Sequence, residues 1–303
     1  MSRPGVVWRA IAVSVTGIFF LEIMAALVKV LIVDYPAQQL AIYRNFFALF
    51  PAIIMLTMRP GWRWRRADIM IPMWQLGLLR GGFITVAQLS FYTALSFMPF
   101  ATASALTFTM SLFVTAFSGP LLGHRIGIWR WSAVLIGFAG IMMVLRPGGE
   151  SFTPWAFLPV LAAVGYAATT VTSPLFPKEV PTPAINLWTG VSALAGAIVL
   201  TATTSGFVPV ASVTDLGLMI AMGLFGGCGV LMLIFAYRMT EPSNLSPFDY
   251  FGILFAFALG YVFFGESPVE ELFPGVIFIV AGGILIVWRE RVNKAKAARE
   301  EAA

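Results

Sequence analysis

The sequence predicts an all-α integral membrane protein with ten transmembrane helices, arranged as two inverted repeats of five. Composition, the spacing of apolar runs and an internal repeat carry this prediction. Of the 303 residues, 59% are hydrophobic and 11% are charged, and the mean hydropathy is +0.88. Because about a quarter of the residues in a soluble domain are charged, only a lipid bilayer suits so apolar a chain.

Ten apolar runs, each bounded by charge, Pro or Gly, follow one another along the chain. They cover residues 9–33, 37–58, 72–96, 99–122, 128–146, 154–174, 184–204, 213–237, 243–264 and 271–288. A helix that spans a bilayer needs about 20 apolar residues. Ten such helices leave only short loops, so no sizeable soluble domain is expected. The first run carries Glu22 and Lys29, and we interpret it as a retained helix.

The basic residues predict the orientation in the membrane. With the N-terminus in the cytoplasm, fifteen of the 19 basic residues lie on the cytoplasmic side, and Arg146 is the one assigned to the outside. The positive-inside rule favours this arrangement. We therefore expect both termini in the cytoplasm and an even number of helices. Since the charge lies at helix ends and in the tail, the sequence pI of about 9.6 does not indicate nucleic-acid binding.

An internal repeat divides the chain in two. A pair of glycines four residues apart, Gly77/Gly81, recurs as Gly223/Gly227, and further short matches follow in the same order. The predicted repeats are residues 1–147 and 148–290, followed at 291–303 by a cytoplasmic tail that is first basic and then acidic. Five helices are an odd number, so the second repeat is inverted. Inverted repeats permit alternating access around a site between the halves.

Several short motifs resemble those of the drug/metabolite transporter superfamily in its EamA-type branch. They are F-Y-T-A-L at 91–95, L-L-G-H-R at 121–125, F-F-G-E at 263–266, Y-R-N-F at 43–46 and both Gly-rich final helices. In length and aromatic content the chain is most similar to the bacterial aromatic amino acid exporters of that branch. The resemblance implies a transporter in the bacterial inner membrane. One departure is His124, where the first-half signature has Glu, while Glu266 keeps the acid in the second half.

Five ionisable residues lie in the interior of predicted spans, away from the span ends, namely Glu22, Lys29, Arg44, Arg80 and Asp249. A charge inside a bilayer is costly, so such residues normally face the protein interior or water and have a partner. These five are the candidates for substrate binding or coupling. Each also has a structural alternative.

Glu22 and Lys29 are two helical turns apart on one face, so they either form a structural ion pair or contact the substrate. In a further alternative, Lys29 extends to the membrane interface. Arg44 lies within reach of Asp34 or Glu22 and either ties two helices together or binds substrate. It also resembles an Arg in the second helix of the family.

Arg80 stands where the second half has Gly226, so the halves differ at a place of close helix packing. It either serves function or extends toward the cytoplasmic surface. Asp249 follows Pro247, which removes a backbone donor. This pattern predicts either a broken helix with polar groups or the cytoplasmic start of helix nine.

A zwitterionic aromatic amino acid needs a cation, an acid and aromatic faces. Lys29, Arg44, Glu22 and Asp249 are the charged candidates. The aromatic candidates are Tyr92, Tyr166, Trp188, Tyr237 and Tyr250. Helix four adds the hydroxyls of Ser104, Thr107 and Ser111 on one face, which either line the pathway or bond to the backbone.

We therefore expect a secondary exporter of aromatic amino acids or similar small amphipathic metabolites, with a broad-specificity exporter as the alternative. The only histidine, His124, is in a loop and no catalytic motif appears, which disfavours an enzyme. Short connections disfavour a channel.

With Cys228 as the only cysteine, we expect no metal and no cofactor. The expected partners are a small-molecule substrate and the bilayer, and we expect a monomer, with a dimer as the alternative.

Overall fold

Among the residues that it describes, the computed structural model of this chain has eleven α-helices and no strand. Those residues are 4–58, 61, 63, 70–122, 128–145, 153–177, 179–239, 245, 248–266, 273–282, 284–285, 288 and 292. The predicted Arg146, His124 and Pro247 features lie outside the described residues.

The helices follow the predicted apolar runs closely. They are α1 Pro4–Leu31, α2 Ala37–Thr57, α3 Trp74–Phe97, α4 Phe100–Thr107, α5 Met110–Leu122, α6 Ile128–Leu145, α7 Phe157–Val171, α8 Thr182–Leu200, α9 Val213–Met239, α10 Phe251–Phe264 and α11 at 275–282. Large apolar side chains point outward from the bundle, including Val213, Leu254 and Phe263. Such a surface suits lipid and confirms the membrane-protein class.

Six helices in the described part of the chain are long and apolar enough to cross a membrane. They are Val6–Leu31, Ala37–Thr57, Phe100–Phe117, Pro154–Leu175, Thr182–Thr204 and Val213–Ala236. Helix α3 is absent from this set although it has 24 residues, because Arg80, Gln88 and other polar residues lower its hydropathy. The count of ten crossing helices therefore stays a prediction.

The predicted fourth helix is not continuous. It is broken at Phe108 and Thr109, between α4 and α5. The Thr109 amide donates to the carbonyl of Leu106, three residues back, and its hydroxyl donates to the same oxygen at 2.6 Å. Such back-bonding by threonine bends helices.

Helices from the two predicted repeats pack against each other throughout the bundle. Helix α1 packs on α9, α2 on α8 and α9, and α3 on α7 and α8. The connection at 32–36 marks one end of the bundle, here called the Tyr35 end. The connection at 172–181 marks the opposite end, here called the Phe176 end, where Phe176 packs with Leu56 and Ile71.

The repeated glycines lie at close approaches between helices of the two predicted repeats. A Cβ on Gly77 would lie 2.9 Å from Trp188 Cβ, where α3 meets α8. A Cβ on Gly227 would lie 3.0 Å from Ala48 Cα, where α9 meets α2. Small residues let membrane helices approach closely. The glycine pairs found in the sequence therefore join helices that correspond to each other in the two predicted repeats.

Candidate functional site

A cavity of about 210 Å³ lies between helices of the two predicted repeats. Its lining comes from α2, α3, α7, α8 and α9, at positions that lie nearer the Phe176 end. The charged and amide side chains in the lining are Arg44, Asn45, Arg80 and Asn186. The remaining side chains are small, hydroxyl-bearing or aliphatic, and the described lining contains neither a carboxylate nor an aromatic ring.

Arg44, on α2, faces this cavity without an acidic partner among the described residues. Its Nη1 donates to Asn45 Oδ1 at 3.0 Å, while its Nε is buried and has no hydrogen-bond partner. The structure therefore does not show the expected contact of Arg44 with Asp34 or Glu22. The guanidinium fits against Gly226, where a Cβ would lie 3.2 Å from Nε.

Arg80, on α3, lines the same cavity and is 5% exposed. Its Nη1 donates to the Thr169 carbonyl and, at 3.1 Å, to Thr172 Oγ1, and its Nε donates to Thr189 Oγ1 at 3.3 Å. The guanidinium also lies 5.8 Å from the ring centroid of Phe176. Arg80 is thus held inside the bundle by α7 and α8, and does not extend to the membrane surface.

Asn45 and Gln88 form a reciprocal amide pair beside Arg44, and each is 2% exposed. Asn45 Nδ2 donates to Gln88 Oε1 at 2.9 Å, and Gln88 Nε2 donates to Asn45 Oδ1 at 3.0 Å. This pair joins α2 to α3 and fixes the amide oxygen that accepts from Arg44. Ionisable residues in the sequence do not reveal this pair, although amides inside apolar runs are an equally visible signal.

We expect Gln88→Met to lower the free energy of unfolding by about 1–3 kcal/mol, because Asn45 Nδ2 is then buried without an acceptor. The matched control is Gln75→Met, at an exposed position of the same helix. Thermal unfolding of the purified variants in detergent measures both. Equal unfolding temperatures for the two variants would contradict the role given to the amide pair.

Glu22 lies on another side of α1 from the cavity. Its Oε2 accepts a hydrogen bond from Ser104 Oγ at 3.3 Å, and its side chain is buried. Met24 lies close to Gly226, and its sulfur atom accepts a hydrogen bond from the Tyr92 hydroxyl at 3.8 Å. Because positions 22 and 24 are about 200° apart around a helix, Glu22 and Arg44 lie on different sides of α1.

Lys29 pairs with Glu266 and not with Glu22. Its Nζ lies 3.2 Å from Glu266 Oε1 and donates to the Met98 carbonyl at 2.8 Å. The second carboxylate oxygen of Glu266 accepts from the Phe100 amide at 2.5 Å, at the first residue of α4. We call this cluster the Lys29–Glu266 latch. It ties α1, α4 and the end of α10 together at the Tyr35 end.

Gly265 explains how Glu266 reaches the latch. Gly265 has a φ of +64°, and the Glu266 amide donates to the Gly260 carbonyl six residues back. The Gly265 amide donates to the Tyr261 carbonyl four residues back, which is the hydrogen bond of a helix that ends at a left-handed glycine, and the chain then turns back toward α4. The carboxylate then lies at a helix N-terminus, where backbone donors and the helix dipole favour a negative charge.

A second set of contacts closes the Tyr35 end. The Gln39 side chain donates to the Val208 carbonyl at 2.7 Å and accepts from the Val208 amide at 2.8 Å. The Tyr35 hydroxyl donates to Asp215 Oδ2 at 2.8 Å and accepts from the Ala211 amide at 2.9 Å. The connection between α8 and α9 is thereby fixed to the start of α2.

The other predicted residues are spread over the bundle. Ser111 Oγ and the Tyr250 hydroxyl lie 3.2 Å apart, and Thr107 Oγ1 bonds to the Ala103 carbonyl. Trp188 packs against Trp74, with 5.7 Å between ring centroids. Tyr166 and Asp249 do not line the cavity, and the side chain of Tyr237 lies outside what the structure describes. Of the thirteen predicted residues, the cavity thus brings together Arg44 and Arg80.

No group of three metal-ligating side chains comes together among the described residues. The chemistry that the cavity does offer is hydrogen-bond donation and positive charge beside an apolar wall. An apolar helical bundle with such a cavity between its two halves has the features of a membrane transporter of small molecules.

The chain belongs to the EamA-like transporter family, whose model matches residues 8–146 and again residues 153–288. The family membership confirms the resemblance at the level of the superfamily and identifies the chain as a transporter and not an enzyme.

Curated relatives of this chain include transporters of different small metabolites. The chain is 24% identical to an S-adenosylmethionine uptake transporter of Rickettsia bellii over 72% of this chain and 74% of the relative. It is 30% identical to a riboflavin transporter of Rhizobium johnstonii over 67% of each. It is 27% identical to a pseudopaline exporter of Pseudomonas aeruginosa over 91% of this chain and 93% of the relative. These relatives support metabolite transport and do not single out aromatic amino acids.

The fold is also seen in a solved crystal structure. It has a TM-score of 0.65 and 20% sequence identity, and the match covers 93% of this chain and 98% of the other.

Proposed function

We propose that this chain is a secondary transporter that exports an aromatic amino acid or a related small amphipathic metabolite by alternating access. The observation that carries the proposal is the cavity between the two repeats, which contains two guanidinium groups and an apolar wall. A carboxylate binds well to a guanidinium, and the apolar wall suits the body of a small metabolite.

The proposed architecture is ten transmembrane helices in two inverted repeats, with both termini in the cytoplasm of a bacterium. The family model matches the chain twice, once in each predicted repeat, which supports the division. The corresponding glycine contacts of α3 with α8 and of α9 with α2 also support it. In this orientation the Tyr35 end faces outward and the Phe176 end faces the cytoplasm.

The arrangement of contacts suits one of two alternating states. The latch and the Gln39 contacts close the Tyr35 end, while the cavity lies nearer the Phe176 end. To release a substrate outward, the latch has to open and the helices around the Phe176 end have to close over the cavity. Inverted repeats provide such a pair of related packings.

Flux into proteoliposomes that contain the purified protein tests this function. We expect uptake of labelled phenylalanine, or of another metabolite in a panel with riboflavin and S-adenosylmethionine, to saturate with concentration. We also expect it to be accelerated by the same compound inside the vesicle, as a carrier requires. Flux that rises linearly with concentration would indicate a channel and contradict the proposal.

A further inference from the structure

We propose that the cavity recognises its substrate by a single anionic group, a carboxylate, which binds to Arg44 in a cavity that also contains the unsatisfied amide of Asn186, and that a substrate ammonium group is not required. This inference rests on the proposed function and names the class of substrate. The compounds it favours are small monocarboxylates with an apolar body.

Two unsatisfied donors of the cavity lining carry the inference. Arg44 Nε and Asn186 Nδ2 are both buried and both lack a hydrogen-bond partner. Arg44 lies on α2 and Asn186 on α8, so the donors come from different predicted repeats. A buried donor without an acceptor costs about 1–3 kcal/mol, so an acceptor that enters the cavity beside either side chain relieves that cost.

The charge of the cavity points to the same ligand. Arg44 and Arg80 supply two positive charges, and the described lining supplies no carboxylate. Arg80 is engaged by one carbonyl and two threonine hydroxyls, which are dipoles and leave its charge uncompensated. Buried charges normally have a partner of opposite sign, and an anionic substrate supplies one.

The aliphatic side chains of the lining indicate that the remainder of the substrate is apolar. Leu49, Ile84, Val230 and Leu231 provide an aliphatic wall, against which an apolar body loses its contact with water. An ammonium group would find no carboxylate in the described lining. A volume of about 210 Å³ is well above the roughly 30 Å³ of one water and suits a small organic molecule.

Ligand binding to the purified protein in detergent tests the inference with defined probes. The probes are 3-phenylpropionate, its primary amide, phenethylamine and phenylalanine, measured by isothermal titration. We expect 3-phenylpropionate to bind at least about tenfold more tightly than its amide, since a charge-assisted hydrogen bond is about twice as strong as a neutral one. We expect no binding of phenethylamine. Equal binding of acid and amide, or no binding of either acid, would overturn the inference.

Variants locate the site. We expect Arg44→Gln to weaken 3-phenylpropionate binding at least about tenfold, because truncation of a buried charge contact has a large effect. The matched control is Arg9→Gln, at an exposed position of α1, which should bind as the wild type does. Equal affinity in both variants would place the anion elsewhere and overturn the assignment.

Asn186→Asp distinguishes loss of binding from loss of folding. The substitution changes the size of the side chain little and adds a carboxylate to the cavity that holds both guanidinium groups. We expect the unfolding temperature without ligand to rise or stay the same while 3-phenylpropionate binding is lost. Retained binding in this variant would contradict the role of Asn186.

Two further measurements separate the possible failures. Chloride and inorganic phosphate are added as competitors, and displacement of 3-phenylpropionate by either at a similar concentration would identify an inorganic-anion site and overturn the inference. Flux of labelled 3-phenylpropionate is measured beside binding. Binding without saturable flux contradicts the proposed function and leaves the anion site in place, whereas flux of uncharged metabolites alone contradicts only the anion site.

Discussion

Glu266→Gln is expected to reduce the rate of transport at least about tenfold while the protein remains folded. The amide keeps an oxygen for the Phe100 amide but loses the charge that pairs with Lys29. The two side chains are 17% and 18% exposed, so this pair is partly shielded from water. If the substitution destabilises the latched state by about 2 kcal/mol, the ratio of molecules with a closed Tyr35 end to molecules with an open one falls about 30-fold.

The loss of transport follows from the need to close each end in turn. A carrier that seldom closes its Tyr35 end stays in one state and turns over slowly. The measurement is saturable flux of a transported probe into proteoliposomes. The matched control is Glu179→Gln, an exposed glutamate outside the latch, which should transport at the wild-type rate.

A double variant tests whether Lys29 and Glu266 act as one unit. Lys29→Met should cause a similar defect. The double variant Lys29→Met/Glu266→Gln should be no slower than either single variant, because one substitution already removes the ion pair. Additive defects would show that the two residues act separately. A wild-type rate for Glu266→Gln would refute the latch.

The second large effect is expected from Gly81→Ala, which should lower the unfolding temperature in detergent by several degrees or prevent folding. A Cβ on Gly81 would overlap Ser192 Cβ and lie 2.8 Å from the Ala193 amide nitrogen. The overlap is with the first carbon of a side chain and with backbone, so α3 and α8 have to separate. Overpacking of this kind costs about 1–3 kcal/mol or more.

The neighbouring residue provides the control for this experiment. Gly82 is on the same helix, and a Cβ there would meet nothing within 4 Å. Gly82→Ala should therefore be neutral or stabilising, because alanine has the higher helix propensity by about 1 kcal/mol. Equal unfolding temperatures for Gly81→Ala and Gly82→Ala would show that close approach of α3 and α8 does not stabilise the bundle.

The features that the sequence predicted well are those that depend on local pattern. The apolar runs closely predicted the helices, and the spacing of Gly77, Gly81, Gly223 and Gly227 predicted close contacts. The difference between Arg80 and Gly226 also has a physical explanation. Arg80 supplies one guanidinium of the cavity, and the absence of a side chain at Gly226 makes room for the other, that of Arg44.

The features that the sequence did not predict depend on contacts between distant segments. Lys29 has a carboxylate seven residues away in Glu22, yet its partner is Glu266, which the chain places beside it through the turn at Gly265. The unsatisfied amide of Asn186 also depends on neighbours from other helices. Spacing along one helix cannot identify either partner.

The absence of a carboxylate from the described cavity lining bears on the driving force for transport. A monocarboxylate that crosses without a compensating cation moves one negative charge in each cycle, so transport generates an electric current. A membrane potential contributes about 2.3 kcal/mol per elementary charge for every 100 mV. With the cytoplasm negative, this voltage drives the anion outward without a coupled proton or sodium ion, and it opposes uptake by the same amount.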